Sequence, residues 1–589
     1  MSTIKRHQAG AWDGLNRAAR GLWSSLPKRC TAVLLAFAGL LLAIATVPPR
    51  WPILAQEQQR SSLSAGTRAK IDAVFHDFNA HTPGCVLGVV RGGILVYAHG
   101  YGMARLEENV PLTPESVLEI GSVSKQFTAA SIFLLEHQGK LSLDDDVRKY
   151  ITELPAYDRP VTIRELLHHT SGVRDVISLM SMSGIPFDDF ASESDALAMI
   201  ARQRELNFEP NSRYMYSNSG YVLLSQIVKR VSGMPLAQFA KKNIFVPLGM
   251  AHTLIVDDHT LVIPGRSGTY APQRSGGGFE IDMSNWEQTG DGAVDTTVGD
   301  LAHWDRNFDH PIVGGKWLID ELETQGVLND GKKIDYAAGL VISTYRGLRT
   351  VSHGGAWQGF RAQFERFPDQ GVTLITLCNV ANANPGPRAD KVADILLGSK
   401  MAPAPQRTLV SLGDDELRQY AGQYWSEPDR DVRRVEFRDH KLFLQSGFGP
   451  GIGLVPFANG EFGLGPDMGN ATVRFTQNAG RQQMVLPGTD EALDRVEPAH
   501  PTDDQMRAMI GPYHSDELQV TWRIAMDGSE LVMNANGANP DKVSSDKTYN
   551  LVPVVPNAFT AGPYVVQFDS DGMRVSVGRA GGIRFAKGP

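Results

Sequence analysis

The segment "GSVSKQFTAAS", residues 121–131, places a serine three residues before a lysine at the start of a predicted helix. Residues i and i+3 share a helix face, so Ser122 and Lys125 can lie within hydrogen-bond reach of each other. A serine hydroxyl needs such a base to act as a nucleophile at neutral pH. The S-x-x-K pattern also occurs at residues 25–28 and 544–547, in a basic leader and in a polar turn. The surrounding sequence must therefore decide whether residues 121–131 begin a catalytic helix.

The sequence around this segment predicts that the helix is buried in the centre of a domain, because apolar side chains surround it almost completely. Two strands joined by a glycine pair are predicted at residues 85–102, and alternating residues at 348–380 predict further paired strands. Other helices lie between them, one of which begins with a capping box of Thr162 and Glu165. Strands at both ends with helices between them predict an α+β domain over residues 63–400, with one antiparallel sheet flanked by helices.

After a proline-containing linker, the chain changes to short strands separated by Gly, Asn and Asp turns. This part repeats itself, because the segment that contains Asp414 and Tyr424 recurs around Asp503 and Tyr513. Later matches drift, which indicates a longer loop in the second copy. We predict two small homologous domains, each a closed antiparallel β-barrel, because closure removes exposed edges from so short a chain. The two barrels are placed at residues 408–498 and 502–589.

Residues 1–55 have the composition of a signal peptide or membrane anchor. Basic residues precede an uncharged apolar run at residues 31–47, and such a run enters a membrane with its basic end in the cytoplasm. As a helix at ~1.5 Å per residue, the run would reach about 25 Å, between a signal-peptide core and a full span. We expect export, with the protein either released into the periplasm, with Ala55 as a candidate cleavage point, or anchored to the inner membrane facing the periplasm.

The composition excludes some classes of function. A formal net charge of −8 with scattered Lys and Arg residues offers no basic surface for nucleic acid, so we expect no such partner. The cysteines show neither metal-ligand spacing nor a dense disulfide framework, and we interpret them as mostly packing residues, with Cys85–Cys378 the only conceivable bridge. His168 and His169 are adjacent rather than helix-spaced, which favours a structural role. We expect no metal and no cofactor.

Two further motifs support a catalytic role for the serine. The motif Y-S-N at residues 216–218 is the only Y-x-N in the chain and stands at the start of a predicted helix. The motif H-G-G at residues 353–355 lies on a predicted strand. The order S-x-x-K, Y-x-N, H-x-G resembles that of the penicillin-recognising serine hydrolases, which include class C β-lactamases, DD-peptidases and D-aminopeptidases. The phrases "LLHHTSG", "DTTVGDLAHW" and "SHGGAWQGF" match this superfamily as well, and the resemblance covers residues 63–400.

The resemblance implies a role for each catalytic residue. Ser122 would attack the carbonyl carbon of the substrate, and Lys125 would take up or relay the serine proton. Tyr216 would return a proton to the leaving group. His353 stands where β-lactamases have the lysine of their K-T-G motif, and it would supply a hydrogen bond or a positive charge.

The resemblance also implies the residues that bind the substrate. Asn218 would hold the substrate amide, and Gly354 and Gly355 would let the substrate backbone approach the strand closely. The oxyanion hole would consist of the backbone N–H groups of Ser122 and Ala356.

A histidine in place of that lysine, together with two trailing barrels, resembles the bacterial D-aminopeptidase group, whose catalytic domain is followed by two lipocalin-like barrels. In that group a loop of the last barrel enters the active-site cleft and restricts substrates. Residues 536–548, at the predicted insertion of the second copy, are our candidate for such a loop, with a plain surface loop as the alternative.

The sequence leaves three functions open. The first is a serine hydrolase that acts through an acyl-enzyme on amide or ester bonds, as in D-amino-acid-containing peptides. The second is a DD-carboxypeptidase, a β-lactamase or an esterase, and the third is a sensor that binds an acyl group without turnover. The expected partner is a small peptide, amide or ester, with the membrane as a second partner if the leader is not cleaved. The oligomeric state stays open, with a homodimer as one option.

Overall fold

The structure is a computed structural model that describes residues 63–404, 407–445, 451–465, 471–486, 492–535 and 547–588. The chain divides into two units, Met1–Ser62 and Leu63–Pro589, and the described residues belong to the second. The apolar run at residues 31–47 lies outside the described residues, as does most of the predicted loop at 536–548. Within the described part, no helix combines the length and apolar character that a membrane span requires.

A six-stranded antiparallel sheet forms the centre of the first domain, as the sequence predicts. Its strands are β1 (Cys85–Arg91), β2 (Ile94–Tyr101), β3 (Val341–Tyr345), β4 (Leu348–Trp357), β5 (Phe360–Phe367) and β6 (Val372–Cys378). The spatial order is β3-β4-β5-β6-β1-β2. The first strand, β1, therefore pairs with the last, β6, although most of the helices lie between them in the sequence. Shorter strands lie outside this sheet, at Met103–Arg105, Val110–Pro111, Leu118–Glu119, Phe190–Ala191, Leu254–Ile255, Tyr270–Pro272, Phe279–Ile281, Asn285–Trp286 and Val294–Thr296.

Helices cover both faces of this sheet. The α-helices of the described chain are α1 (Ala65–Val74), α2 (Lys125–His137), α3 (Ile163–Leu167), α4 (Val176–Met182), α5 (Glu193–Ala201), α6 (Asn218–Ser232), α7 (Leu236–Ala240), α8 (Val246–Leu248), α9 (Val298–Asp309), α10 (Gly315–Glu323), α11 (Pro385–Leu397), α12 (Asp414–Arg418) and α13 (Asp503–Met509). Side chains of β1 alternate between two hydrophobic cores. Val86 packs in the core that contains α2, whereas Leu87 packs in the core that contains α1 and α11. The helix that carries the S-x-x-K motif is therefore buried, as predicted.

Cys85 on β1 lies directly opposite Cys378 on β6, and the two residues form a disulfide. The interpretation of the cysteines as mostly packing residues is therefore wrong for this pair, and the one conceivable bridge is present. Both side chains are fully buried. Sequence spacing carried no signal for this bond, because only the register of the β1–β6 pair brings the two residues together.

The two C-terminal domains are β-structures, as predicted. The first is a closed barrel of β7 (Gly422–Ser426), β8 (Asp431–Arg438), β9 (Lys441–Gln445), β10 (Ile452–Pro456), β11 (Glu461–Leu464), β12 (Thr472–Asn478), β13 (Arg481–Val485) and β14 (Ala492–Val496). The second consists of β15 (Gly511–Ser515), β16 (Val520–Asp527), β17 (Glu530–Ala535), β18 (Lys547–Asn550), β19 (Val552–Val555), β20 (Ala558–Ala561), β21 (Tyr564–Phe568), β22 (Gly572–Val577) and β23 (Ala580–Lys587). Its order is β18-β17-β16-β15-β23-β22-β21-β20-β19, so the second barrel is nearly closed, with its edges at the consecutive strands β18 and β19.

The internal repeat is visible in matching side-chain contacts. Tyr424 in the first barrel and Tyr513 in the second are both buried. The hydroxyl of Tyr424 donates to the carbonyl of Tyr420 at 2.8 Å, and that of Tyr513 donates to the carbonyl of Met509 at 2.7 Å. Both tyrosines follow a short helix, α12 or α13, so the two copies begin in the same way.

A buried ion pair joins the second barrel to the first domain. Nη1 of Arg174 lies 2.8 Å from Oε1 of Glu517, and both side chains are almost inaccessible to solvent. Nη2 of Arg174 donates to the carbonyl of Gly582 at 3.2 Å. Glu517 also accepts hydrogen bonds from the backbone N–H groups of Arg204 and Arg584, at 2.7 and 3.2 Å. Because a buried charge needs all of these partners, they fix the position of the barrel on the first domain.

Candidate active site

A 3-10 turn at Gly121–Ser124 and the first residue of α2 bring the predicted nucleophile and base together. Nζ of Lys125 donates a hydrogen bond to Oγ of Ser122 at 3.1 Å. The same nitrogen donates to Oδ1 of Asn218 at 2.9 Å and to the carbonyl of Asp291 at 2.5 Å. These two acceptors hold the amine beside the serine.

Lys125 is fully buried. Burial lowers the pKa of its amine to about 7, while the Asp291 carboxylate opposes this shift and the Arg579 guanidinium adds to it. Near pH 7 a large fraction of the amine is therefore neutral. A neutral amine in contact with Ser122 can accept the proton of the serine hydroxyl.

Tyr216 lies beside this pair, with its ring centroid 4.9 Å from Nζ of Lys125. Burial raises the pKa of Tyr216 well above its usual value. The hydroxyl makes no hydrogen bond of normal geometry with the described residues, yet it is close enough to the Ser122 hydroxyl for that group to oppose the shift. Tyr216 therefore stays protonated at neutral pH and can donate a proton.

Asn218 is the first residue of α6 and is held from two sides. Its Oδ1 accepts from Lys125, and its Nδ2 donates to Oδ1 of Asp175 at 3.2 Å. Asp175 is completely buried at the N-terminus of α4 and also accepts from the backbone N–H of Asn218 at 3.3 Å. Asn218 thus orients Lys125, and its contact with a substrate amide stays a prediction. The sequence motifs did not indicate Asp175, which belongs to none of the three.

His169 is a second neighbour that the sequence motifs did not connect to the site. Its ring packs against that of Tyr216, with centroids 4.1 Å apart. Its Nδ1 accepts a hydrogen bond from the backbone N–H of Ser217 at 3.1 Å. Burial lowers the pKa of His169 well below its usual value, so the ring is neutral. These contacts agree with a structural role, namely to hold the Tyr216 ring in place.

His353 on β4 is buried and neutral. Burial lowers the pKa of His353 to about 4, and the charge of Lys125 adds to this shift. Its Nδ1 lies 2.6 Å from the carbonyl of Gly354, which can only accept, so Nδ1 carries the proton. Its Nε2 must then accept from the hydroxyl of Tyr336, at 3.0 Å. Of the two roles expected for His353, the positive charge is not available at neutral pH in this geometry.

Two glycines allow β4 to lie against the 3-10 turn at Gly121–Ser124, which carries Ser122 and is called the nucleophile turn below. A Cβ on Gly355 would lie 1.9 Å from the carbonyl oxygen of Ile120, and a Cβ on Gly121 would lie 2.8 Å from the backbone nitrogen of Ala356. Gly121 also has a positive φ of 47°, which a side chain would strain. The contact brings the backbone N–H of Ala356 next to the turn that carries Ser122, which is the arrangement a two-donor oxyanion hole requires.

Ser122, Tyr216, Asn218 and the H-G-G residues 353–355 line a cleft of about 640 Å³ together with Trp286 and Trp357. Arg579 also lines this cleft, although it belongs to the turn between β22 and β23 of the second barrel. Its Nη2 lies 2.7 Å from Oδ2 of Asp175, and its guanidinium lies 5.1 Å from the centroid of the Tyr216 ring. A turn of the last barrel thus reaches the cleft, whereas most of the predicted stretch at residues 536–548 lies outside the described residues, so that loop stays a prediction.

One group of side chains in the described residues has ligand atoms close enough together to hold a metal ion. Asp258, His259 and Glu287 form this group, and His259 also lines the cleft. His259 already uses its Nδ1 in a contact of 2.8 Å with Glu287. The expectation of a metal-free site stays a prediction.

A serine activated by a buried neutral amine, with a protonated phenol beside it, is the chemistry of a serine hydrolase that forms an acyl-enzyme. Comparison with known families agrees, because the family model described as Beta-lactamase matches residues 71–399. The chain belongs to this family. The predicted resemblance and the predicted α+β fold are confirmed.

Two curated relatives support the same assignment. Penicillin-binding protein 4* of Bacillus subtilis (strain 168) is 31% identical over 413 residues, which cover 66% of this chain and 88% of that protein. A D-aminopeptidase of Brucella anthropi is 28% identical over 456 residues, which cover 77% of this chain and 83% of that protein. Among solved structures, the octameric penicillin-binding protein homologue from Pyrococcus abyssi has a TM-score of 0.53 at 23% identity, covering 74% of this chain and 100% of that one. This last similarity concerns the fold alone.

Proposed function

We propose that the protein hydrolyses amide or ester bonds of D-amino-acid-containing substrates through an acyl-enzyme on Ser122. The observation that carries this proposal is the 3.1 Å contact between Nζ of Lys125 and Oγ of Ser122. The low pKa of the buried amine, about 7, makes it a base under ordinary conditions. The similarity to a D-aminopeptidase supports the substrate class.

In the acylation step, neutral Lys125 accepts the hydroxyl proton of Ser122 as Oγ bonds to the substrate carbonyl carbon. The carbonyl oxygen becomes negative, and the N–H groups of Ser122 and Ala356 are the proposed donors that stabilise it. Tyr216 gives its proton to the leaving nitrogen or oxygen as the C–N or C–O bond breaks. The proton held by Lys125 then restores Tyr216, so the leaving amine or alcohol carries the former Tyr216 proton and Tyr216 carries the former serine proton.

Water completes the cycle. Lys125, neutral again, accepts a proton from a water molecule whose oxygen attacks the carbonyl carbon of the acyl-enzyme. The bond from that carbon to Oγ of Ser122 breaks, and the serine oxygen takes the proton back from Lys125. The acyl group leaves as a carboxylic acid, which ionises in solution.

Two other functions remain as alternatives. Similarity to a penicillin-binding protein favours a DD-carboxypeptidase or β-lactamase, although neutral His353 offers no charge to a substrate carboxylate. An acyl-binding sensor would form the same acyl-enzyme without releasing it. Turnover of D-alanine p-nitroanilide, of a p-nitrophenyl ester and of nitrocefin, followed beyond the first equivalent, separates hydrolysis from a single burst and one substrate class from another.

Labelling of the nucleophile is the primary test. A fluorophosphonate should modify Ser122, as located by mass spectrometry of the digested protein, and Ser122→Ala should abolish both labelling and hydrolysis while the protein stays folded. Ser544 is the internal comparison, because it heads another S-x-x-K in the same chain. An adduct on Ser544 and none on Ser122 would remove the basis of the proposal.

We also propose that the protein is exported and works in the periplasm or on the periplasmic face of the inner membrane. The basic and apolar leader supports this location. The disulfide between Cys85 and Cys378 supports it independently, because such bonds persist in oxidising compartments and are rare in the cytoplasm.

A further inference from the structure

Arg579 is a charged residue that the proposed mechanism does not use. It enters the cleft from the second barrel and lines it together with Ser122 and Tyr216. Its side chain is 38% exposed, and its guanidinium packs against the Tyr216 ring at 5.1 Å from the centroid. The residue is therefore in contact with a proposed catalytic group and also open to a substrate.

The backbone of the turn is held in this position by the first domain. The carbonyl of Arg579 accepts from the backbone N–H of Asp175 at 3.1 Å and from Nδ2 of Asn207 at 2.9 Å. Oδ1 of the same Asn207 accepts from the backbone N–H of Gly581 at 2.8 Å. These bonds fix both sides of the turn, so the arginine is positioned before any substrate binds.

Asp175 uses only part of the guanidinium. The contact involves Nη2 of Arg579, and the carboxylate of Asp175 is shared with the side chain and backbone N–H groups of Asn218. A guanidinium has five N–H donors in one plane. Within the described residues no other ion pair of Arg579 is present, so donors remain for an anion in the cleft.

The other basic groups at the cleft are already engaged. Arg266 pairs with the buried Asp295 at 2.8 Å, and His259 pairs with Glu287. Lys125 is bound to Ser122, Asn218 and the backbone of Asp291. Among the described residues that line the cleft, Arg579 is thus the cation best able to take a further partner.

The two carboxyl groups that line the cleft are buried, and near pH 7 Glu119 is mostly protonated whereas Asp291 is mostly ionised. Desolvation raises the pKa of Glu119 to about 8 and that of Asp291 to about 6. Oδ1 of Asp291 has no hydrogen-bond partner among the described residues, so it is the group to which an ammonium would have to bind if the opposite preference held.

We propose that Arg579 binds a carboxylate of the substrate, and that the enzyme prefers D-amino-acid amides, peptides or esters that carry a free carboxylate. A guanidinium can hold a carboxylate through two parallel hydrogen bonds, which gives orientation as well as attraction. The inference rests on the proposed hydrolase function and specifies its substrate class.

The test compares matched substrates that differ in charge. These are N-acetyl-D-Ala-D-Ala, its C-terminal amide, and D-Ala-D-Ala amide, which has a free ammonium and no carboxylate. The wild-type protein should prefer the first substrate. Arg579→Gln should lower kcat/KM for it by roughly 10- to 100-fold, mainly through KM, as loss of a charge-assisted hydrogen bond predicts. Arg579→Lys should retain part of the preference, because it keeps the charge and loses the planar fork.

The decisive quantity is kcat/KM for N-acetyl-D-Ala-D-Ala divided by kcat/KM for its C-terminal amide. Any effect of Arg579 on Lys125 changes both values equally and cancels in this ratio. Arg574→Gln is the matched control, since Arg574 lies on the same barrel and pairs with Glu205 at 2.8 Å. It should leave the ratio unchanged. An equal loss on both substrates in Arg579→Gln would mean that Arg579 only positions Asp175, and would overturn the inference.

Two further outcomes are informative. If D-Ala-D-Ala amide is the best substrate and N-acetylation removes its turnover, ammonium recognition at Asp291 replaces the inference. The same comparison can be made without turnover, by measuring how well N-acetyl-D-Ala-D-Ala and its C-terminal amide protect Ser122 from the fluorophosphonate. Equal protection by the two compounds, or none, also overturns the inference. Failure of Ser122 to be labelled at all would instead reject the proposed function itself.

Discussion

Lys125 can act as a base only when its amine is neutral, so activity should follow the deprotonation of this residue. Because burial lowers its pKa to about 7, kcat/KM should rise with pH through about 7 and then level off. The amine interacts with Asp291, so the apparent value belongs to the pair. A p-nitrophenyl ester of N-acetyl-D-alanine is a suitable substrate, because it does not titrate in this range.

A substitution at Asp291 tests whether the midpoint of the pH profile belongs to Lys125. The Asp291 carboxylate raises the pKa of Lys125 against the effect of burial, so Asp291→Asn should move the midpoint to lower pH while keeping the backbone carbonyl that binds the amine. Asp144→Asn, at an exposed residue paired with Arg164, is the control and should leave the profile in place. A midpoint that moves upward in Asp291→Asn would contradict the assignment of the base.

At the scale of elements, the approach of β4 to the nucleophile turn depends on a missing side chain. A Cβ on Gly355 would collide with the carbonyl of Ile120, so Gly355→Ala should push the strand and the N–H of Ala356 away from Ser122. Loss of one oxyanion donor costs roughly 10²–10³ in kcat, and we expect a loss of this order. Steady-state kinetics on one ester, with circular dichroism to establish folding, measures it.

A strand glycine with free space beside it provides the comparison. A Cβ on Gly453 of the first barrel would have its nearest neighbour, Phe443, at 3.9 Å. Gly453→Ala should therefore retain wild-type kcat. If Gly355→Ala keeps a normal kcat in a folded protein, the strand does not supply the second donor.

Local signals in the sequence were sufficient to predict the helices that carry or adjoin the motifs. The capping box of Thr162 and Glu165 is present at the start of α3, and the predicted helix near residue 218 begins at Asn218 as α6. The predicted helix at Ser122 begins instead at Lys125, after a 3-10 turn that starts with the left-handed Gly121. Caps and apolar periodicity act within a few residues, so they can be recognised in a single sequence.

Contacts between distant segments could not be predicted in this way. Cys85 and Cys378, and Asp175 and Arg579, meet only through strand register or domain docking. The loop prediction for the second barrel used insertion length as its signal, which indicated residues 536–548. That stretch lies largely outside the described residues and stays a prediction, whereas the turn seen at the cleft is a short hairpin connection between β22 and β23. Its length carries no signal, and only its contacts with Asp175 reveal it.

At the scale of the whole molecule, the seating of the second barrel depends on Glu517. Removing one partner of a buried ion pair costs about 3–5 kcal/mol, because the other charge is left without compensation. We therefore expect Glu517→Ala to lower the free energy of unfolding by up to about this amount, because the buried Arg174 loses its closest carboxylate and keeps only Glu205, at 3.6 Å. Denaturant unfolding followed by tryptophan fluorescence measures it. Glu108→Ala is the control, since Glu108 is exposed and pairs only with the exposed Arg105 among the described residues, and such pairs contribute less than about 1 kcal/mol.

The proposed export of the protein depends on its first residues. A fusion of residues 1–62 to alkaline phosphatase, which folds only where disulfides form, should be active in a Gram-negative host, because the basic residues stay in the cytoplasm and the apolar run carries the attached enzyme across the membrane. The double substitution Leu41→Arg and Ile44→Arg places two charges in that run and should abolish the activity of the fusion. Equal activity of the two fusions would show that the run does not direct export. An inactive wild-type fusion, with a fluorescent counterpart in the cytoplasm, would place the catalytic domain inside the cell, where the Cys85–Cys378 bridge is not expected to persist.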